Sequence, residues 1–486
     1  MKKYLIPVII ALGMSLSSCE KWLDVPLKTR IKADELFQSE AGFKDALRGI
    51  YIGMTSEALF GRELTFGFFE VLVGNYNLIW GNNTYYMDVS AGRLMNDNVR
   101  VHIDRMWLGL YNLIARTNLL LENLETNGNI LTGNNYYIMK GEALGLRAFL
   151  HLQVFKIFGD PTDLDSIAMP YVTVIGTTPT PSSTGHEFLS LVRNDLNRAL
   201  VYLTKDPIYT ARNKRHSDPF LNGRELRMNY YAIHSVYARA ALWAGDNDRA
   251  LERARYVMAA ADAVFPWVLL DNLTTPDERN VDRTFSTEHI FALNVHNLGN
   301  IYLDWLSPST PALRALVMAT WNFDNWFQAA QGNVGANDYR VVYLTSVENF
   351  NPGGNQRVMT KFRQPVGYNP EFAARMPLIR RTEMYYIVAE VLAARGEIAE
   401  ATEYLNRVRA RRGLSLFPLE DLTEAQFETE LMREYLKEFW GEGHLFFYAK
   451  RRNLQANPFN RWLEGGLQLN TVYVMPRPEA EIEFGR

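Results

Sequence analysis

Apolar residues recur at helical spacing along most of this chain. The clearest run begins near Asn98, where apolar side chains follow one another at intervals of three and four residues. Such spacing places them on one face of an amphipathic helix. Ser39 is a predicted N-cap for an earlier helix. A strongly apolar helix is predicted from Tyr137 to Phe158, because Gly159-Asp160-Pro161 follows it directly and ends it.

Two segments share one arrangement of small residues. Their matching positions are Ala238 with Ala389, Gly245 with Gly396, and Ala250 with Ala401. Each segment predicts a helix, a tight glycine turn and a second helix, with alanines where the paired helices approach. A pair of about 34 residues is the tetratricopeptide period. Since one pair cannot bury its apolar face alone, we expect further pairs to stack on these two. A last pair is predicted at Thr423–Tyr435 and Tyr435–Asn453.

Two other regions have a different texture. Residues 60–97 and 263–377 are rich in Pro, Gly, Asn and Asp and hold only short periodic pieces. The helical frame is expected at about 39–58, 98–262 and 378–453. The fold class is therefore predicted to be all-α, a tetratricopeptide-repeat superhelix carrying long irregular loops. Loops of such length in a compact domain are usually functional, so we expect them to bind a ligand.

The N-terminus has the order of a bacterial lipoprotein leader. Lys2 and Lys3 precede an apolar run from Tyr4 to Leu16 that is shorter than the ~20 residues a membrane-spanning helix needs. Leu16-Ser17-Ser18-Cys19 then forms a lipobox. We predict that residues 1–18 are a signal peptide and that Cys19 is lipidated, which anchors the chain to a membrane. The alternative is a secreted protein with a chance cysteine near its cleavage site.

Composition narrows the classes of function. The hydrophobic content of 47% is ample for a packed core, and the net charge of −3 gives no electrostatic footprint for nucleic acid. With a single cysteine there is no internal disulfide. After the leader, no run is long and apolar enough to be a transmembrane helix. Length alone allows two or three domains or one large repeat-built body, and a single folded domain over residues 19–486 is the expectation.

A search for catalytic chemistry gives little. There are eight histidines, but no His-Glu-x-x-His and no Gly-x-Ser-x-Gly motif. His289 and His296 can share one face of a helix or strand, although core or solvated histidines are the more common case. A glycosidase needs two carboxylates ~5–9 Å apart, and the pattern singles out no such pair. We predict no catalytic residue, no metal ligand and no cofactor.

Several motifs together resemble one family along nearly the whole chain. These are Cys19-Glu20-Lys21-Trp22-Leu23-Asp24-Val25-Pro26, Trp107-x3-Tyr111-x2-Ile114-x3-Asn118, Glu142-Ala143-x3-Arg147-Ala148 closing at Phe158-Gly159-Asp160-Pro161, Arg381-Thr382-Glu383-Met384-x4-Ala389-Glu390 with the repeat through Arg411, and Pro476-Arg477-Pro478-x2-Glu481-Ile482. The pattern resembles the SusD/RagB family of outer-membrane lipoproteins, which capture nutrients at the surface of Bacteroidetes-type bacteria. One motif departs from the family: Leu445 and Tyr448 stand where relatives carry Arg and Asp, which puts in doubt any local salt bridge inferred from them.

The resemblance implies a role and a partner. Members sit as a lid over a SusC-like TonB-dependent transporter, bind an oligosaccharide or similar nutrient and pass it inward. The expected location is the cell-surface face of the outer membrane, with the repeat frame toward the transporter. Arg407, Arg411 and Arg412 can contribute to that contact or simply form a solvated helix face. The competing functions are a lipid-anchored tetratricopeptide scaffold that recruits another protein and, third, a glycosidase.

Sugar binding calls for particular side chains. A pyranose ring stacks its apolar face on flat aromatic rings, and its hydroxyls need amides, carboxylates and Arg around them. Two stretches offer that mixture, Gly74–Tyr86 and Tyr302–Gln328. From composition we predict ligand contacts by Trp80, Asn82, Tyr85, Trp305, Trp321 and Trp326. The alternative is that these rings pack the loops onto the frame.

Overall fold

The computed structural model describes residues 35–78, 84–176, 178–308, 310, 314–318, 320–328, 335–350, 354–420, 422–455 and 467–484. The predicted signal peptide and Cys19 lie outside these residues. Within them, helices predominate, as the all-α prediction expects, and one apolar core is continuous through the frame. Among these residues, no helix combines the length and the apolar character needed to cross a bilayer.

The helices of the described residues are numbered in chain order. They are α1 Glu40–Met54, α2 Phe68–Leu72, α3 Thr84–Ser90, α4 Asp97–Asn127, α5 Asn135–Phe158, α6 Gly185–Leu203, α7 Pro207–Thr210, α8 Tyr230–Trp243, α9 Asn247–Val264, α10 Asp271–Thr274, α11 Leu298–Trp305, α12 Thr320–Phe327, α13 Tyr339–Val342, α14 Arg381–Ala394, α15 Ile398–Ala410, α16 Glu424–Phe439, α17 His444–Arg451 and α18 Glu479–Phe484. The predicted Ser39 cap is confirmed: its hydroxyl accepts a hydrogen bond from the backbone N–H of Gly42 at 3.1 Å.

The two predicted repeat pairs are α8 with α9 and α14 with α15. Their turn glycines, Gly245 and Gly396, have φ values of +71° and +80°, which side-chain-bearing residues rarely adopt. All four matching alanines are fully buried. Helix α9 packs along α14, and an exposed ion pair between Arg255 and Glu400 (3.0 Å) joins the two pairs. The pairs therefore stack on one another, as repeat units require.

The last predicted pair has its boundary in the wrong place. Tyr435 lies inside α16, which begins at a capping box between Thr423 and Gln426 and continues to Phe439. The break comes at Gly441 and Gly443, both at positive φ. The apolar spacing continues past Tyr435, so periodicity alone cannot mark this end, whereas the two glycines do.

Short strands interrupt the regions predicted to be irregular. They are β1 Ile167–Pro170, β2 Ser182–Thr184, β3 His289–Asn294, β4 Thr345–Phe350, β5 Gly354–Met359 and β6 Arg375–Arg380. They form antiparallel pairs β1–β2, β3–β6 and β4–β5. Strand β6 leads directly into α14. Brief apolar runs of this kind do not separate strand from helix by periodicity.

A buried ion network joins α13 and the end of β6 to α16 and Glu442 of the helical frame. Arg340 of α13 donates to Glu434 at 2.8 Å and to Glu438 at 3.0 Å, both on α16. Arg380, at the end of β6, donates to Glu442 at 3.1 Å and also bonds Glu438. All of these side chains are at most 2% exposed. The long irregular region is therefore held by charge pairs in the interior as well as by apolar packing.

Arg412 belongs to the same network. Its side chain is fully buried and bonds Glu288 and Glu438. The expectation that Arg412 lies on an exposed basic face is wrong. Its guanidinium can be buried because these two carboxylates replace the water that an exposed arginine would bind. Arg407 is about half exposed and pairs with Glu403, one helical turn away, and Arg411 is exposed.

Candidate functional site

The structure brings together the two stretches predicted to contact a ligand. The backbone N–H of Asn77 donates to the carbonyl of Val317 at 2.7 Å and forms an isolated antiparallel bridge. Val317 and its neighbour Met318 also connect to the β4–β5 hairpin through a second bridge, to Arg357. Segments more than two hundred residues apart thus lie next to each other.

Tyr85 and Trp305 meet in this region through Tyr86. The ring of Tyr86 is fully buried, with its centroid 4.6 Å from that of Tyr85 and 5.5 Å from that of Trp305. Tyr85 is the second residue of α3 and Trp305 is the last residue of α11, and each is partly exposed. These are the two predicted contact residues that the structure both describes and leaves partly accessible.

Arg62 was not predicted, and it lies at the centre of the site. Its guanidinium carbon is 4.3 Å from the centroid of the Trp305 ring, a cation–π contact. The same guanidinium pairs with Glu57 at 2.7 Å and with Glu63 at 2.9 Å. Glu57 is 46% exposed, so Arg62 connects an accessible carboxylate to the indole of Trp305. The arginine fixes the Trp305 ring and covers one of its faces.

Glu63 and His102 contact the rings of Tyr86 and Tyr85. The Glu63 carboxylate is buried and accepts hydrogen bonds from the Tyr86 hydroxyl at 3.1 Å and the Phe68 backbone N–H at 3.0 Å. Burial raises its pKa, partly offset by Arg62. The His102 ring stacks on Tyr85 with centroids 3.8 Å apart. Burial, with Arg105 and Arg62, lowers the pKa of His102 to about 4, so the ring is neutral at pH 7.

The remaining predicted residues have different outcomes. Trp80 and Asn82 lie outside the described residues, and Trp321 lies in α12 with its side chain likewise outside them. Trp326 is fully buried in the core, so the prediction that it stacks on a ligand is wrong for this structure. Helix α12 is amphipathic, and Trp326 shares its inward face with Phe323. For Trp326, the packing alternative holds.

This arrangement is suited to holding a polar ring-shaped ligand. Trp305 is partly exposed with one face covered by Arg62, and Tyr85 is partly exposed between the rings of His102 and Tyr86. Glu57 and Arg62 supply an acceptor and donors near these rings. Among the residues with described placement, no group of three His, Cys, Asp or Glu side chains lies close enough to hold a metal ion. Arg62 and Glu57 were missed because charged residues outside a regular helix have no periodic signal, and His102 was missed because its place in α4 does not indicate that it meets Tyr85.

The motif residues that carry the family resemblance are structural. Arg147 donates to both oxygens of Asp195, at 2.7 Å each, and Glu142 accepts from the Tyr51 hydroxyl at 2.7 Å and pairs with Arg224. At the departing motif, Tyr448 stacks on Tyr435 with centroids 4.5 Å apart. At this position, where relatives carry the Asp of the motif, Tyr448 forms an aromatic pair.

Comparison with known proteins gives a consistent result. Residues 318–470 match the model of the SusD family, and residues 21–216 match a model described as starch-binding associating with outer membrane. SusD-like protein P2 of Formosa agariphila is 23% identical over 99% of this chain and 97% of its own length. SusD-like protein P25 of the same organism is 26% identical, over 42% of this chain and 38% of its own.

Solved structures share the fold. A SusD superfamily protein from Bacteroides thetaiotaomicron superposes with a TM-score of 0.66 at 20% identity, over 92% of this chain and 98% of that one. A SusD-like carbohydrate binding protein from Bacteroides vulgatus superposes with a TM-score of 0.64 at 18% identity, over 86% and 84% of the two chains.

Proposed function

Since the chain belongs to the SusD-like family, we propose that it is a cell-surface lipoprotein that binds an oligosaccharide and delivers it to a SusC-like TonB-dependent transporter. The observation that carries the binding proposal is the joining of Tyr85 and Trp305, with Arg62 and Glu57 beside them, in one partly exposed cluster. The aromatic rings suit the apolar face of a sugar, and the charged groups suit the hydroxyls around it.

The comparisons support the choice of ligand class. One matching model is described as starch-binding, and one structural neighbour is titled a carbohydrate binding protein. We propose capture by ring stacking and polar contacts, with no bond made or broken in the ligand. The buried carboxylate of Glu63 fits this proposal, because its oxygens are already engaged by Arg62, Tyr86 and the backbone of Phe68.

The anchor and the domain boundaries are part of the proposal. Removal of residues 1–18 leaves Cys19 as the lipidated N-terminus of a single domain, 19–486, at the outer face of the outer membrane. The description of one matching model as associating with outer membrane supports this location. Metabolic labelling with palmitate tests it: the mature chain is expected to be labelled and the Cys19→Ser variant unlabelled. An unlabelled wild-type chain would remove the anchor.

A glycan array with the purified mature chain tests the binding function. Saturable binding to one class of oligosaccharide is expected, without release of reducing sugar. Reducing-sugar release would favour a glycosidase. Co-purification of a protein partner without binding to any glycan would favour the repeat scaffold, and either result would contradict the proposal.

A further inference from the structure

A cavity lies along the antiparallel β3–β6 pair, with His289 at one end of the pair and Arg375 at the other, and it takes no part in the aromatic cluster. It has a volume of about 300 Å³, within the lower range of small-ligand sites. Its walls come from the loop 212–215, the helical turn Arg224–Leu226, the end of α9, and the first residues of both strands, His289 and Arg375. Five segments of the chain therefore converge on it.

The cavity is positively charged. Its cationic side chains are Arg212, Lys214, Arg215 and Arg375, against the carboxylates of Glu225 and Glu371. Arg215 and Glu371 pair with each other at 3.0 Å. Among the lining side chains this leaves three cations and one carboxylate, and the buried carboxylate of Asp282 lies near enough to act on Lys214 and Arg375. Such an excess within so small a volume favours an anionic group.

Several buried groups around the cavity lack a hydrogen-bond partner among the described residues. They are Nη1 of Arg375, Oε2 of Glu225, Oγ1 of Thr287 and Nδ1 of His289. Arg375, Glu225 and His289 are each at least nine-tenths buried. Unpartnered buried polar groups are uncommon, because each costs the lost hydrogen bond to water. Four of them on the residues that line one cavity favour the binding of a polar molecule there.

The roles of these groups define the occupant. Nε2 of His289 lies 2.8 Å from the Thr284 carbonyl, so the proton is on Nε2 and Nδ1 is an acceptor in the neutral ring. Burial lowers the pKa of His289 and keeps that ring neutral. Arg375 is a donor, whereas Glu225 is an acceptor. Donors suit a carboxylate, and acceptors suit hydroxyl groups on the same small molecule.

We propose that this cavity binds a sugar acid, a carboxylate on a hydroxylated ring, either as a free monosaccharide or as a uronate residue of a glycan. The carboxylate lies against Arg375 and Lys214, and the hydroxyls lie against His289 and Glu225. This site is separate from the Tyr85–Trp305 cluster and does not depend on the function proposed for it.

Calorimetry with glucuronate, glucose, sulfate and a uronate-containing oligosaccharide tests the proposal. Glucuronate or the oligosaccharide is expected to bind, and glucose and sulfate to bind at least about tenfold more weakly. Equal affinity for both uronates indicates the free acid as ligand, and binding of the oligosaccharide alone indicates the glycan. No uronate binding up to about 10 mM, or sulfate binding as tightly as glucuronate, would overturn the assignment.

Variants locate the binding. Lys214→Met and Arg212→Ala are expected to weaken uronate binding by about tenfold or more, while Arg407→Ala, an exposed arginine paired on α15, leaves it unchanged. Arg375→Met is informative where it folds, as judged by circular dichroism. Trp305→Ala is expected to leave uronate binding intact, so the two sites can fail independently. Unchanged affinity in Lys214→Met and Arg212→Ala together would contradict the placement.

Discussion

Arg412 donates through Nη1 and Nη2 to the two carboxylate oxygens of Glu288, at 2.9 and 2.7 Å, across 124 residues of sequence. Neither side chain is exposed. Glu288 leads into β3, whereas Arg412 follows α15, so this pair connects the loop-rich region to the repeat frame. Glu288 also accepts from the backbone N–H of Val268 at 3.1 Å. The contact is thus part of a satisfied buried network.

Removing one member of this pair is expected to be costly. Glu288→Ala leaves Arg412 buried with one carboxylate partner fewer, and such losses cost about 3–5 kcal/mol in unfolding free energy. The matched control is Glu403→Ala, which removes the exposed partner of Arg407 and costs about 0.5 kcal/mol or less. Urea denaturation measures both variants. A similar loss in the two would contradict the role of the network.

Alanine substitutions at two glycines with positive φ, Gly396 and Gly443, distinguish the cost of backbone strain from the cost of a steric clash. A Cβ at Gly396 meets nothing within 4 Å, so Gly396→Ala costs only the left-handed backbone term, about 1–2 kcal/mol. A Cβ at Gly443 lies 2.3 Å from the Leu64 carbonyl oxygen, so Gly443→Ala also displaces backbone and is expected to cost clearly more. Thermal unfolding of the two variants checks the order. Equal losses of stability in the two variants would show that the backbone at Leu64 moves away from the new Cβ at no cost.

Glu70 makes stability depend on pH. Burial raises its pKa to about 7, opposed by hydrogen bonds from Asn75 and the Gly443 N–H. The folded state therefore favours the protonated acid, and stability is lost as pH rises from the unfolded value near 4.5 to about 7. The loss reaches about 3 kcal/mol and levels off above pH 7.

Glu70→Gln is expected to remove that loss, because an amide keeps the shape without the charge. Its unfolding free energy should change less than that of the wild type between pH 5 and pH 8. Glu403→Gln, at an exposed carboxylate, serves as the control and should follow the wild-type profile. An unaltered pH profile in Glu70→Gln would show that Glu70 is not the group responsible.

The pKa of Lys214 determines the pH range in which we expect uronate to bind. Burial lowers its pKa to about 8; Glu225 and Asp282 raise it, and Arg215 and Arg375 lower it. As pH rises through 8, the ammonium loses its charge, so glucuronate affinity is expected to fall between pH 7 and pH 9. Calorimetry across that range measures the change. Lys214→Met should show a nearly flat profile, and a fall of the same size in that variant would exclude Lys214 as the cause.

Sequence periodicity predicts the frame well, because helix faces and glycine turns are local properties. The pairs around Gly245 and Gly396 appear at the expected positions, and Ser39 caps α1. The β3–β6 pair was missed, since its short runs carry no period that separates strand from helix. The Arg412–Glu288 contact was also missed, because nothing local indicates which distant carboxylate an arginine will meet.

The candidate site was only partly predictable. Composition identified Tyr85 and Trp305, and the structure joins them through Tyr86. Composition also selected Trp326, which is buried, because aromatic content does not distinguish an inward helix face from an outward one. Arg62 was missed, although it determines which face of Trp305 is covered. Ligand geometry depends on such long-range neighbours.

The most direct test of the account is glycan affinity measured on two matched tryptophan variants. Trp305 and Trp267 are both partly exposed and each lies under an arginine guanidinium, Arg62 at 4.3 Å and Arg381 at 4.0 Å. With the best ligand from the array, Trp305→Ala is expected to lose affinity by about tenfold or more, and Trp267→Ala to retain it. Equal affinity in folded Trp305→Ala and wild type would contradict glycan binding at this cluster.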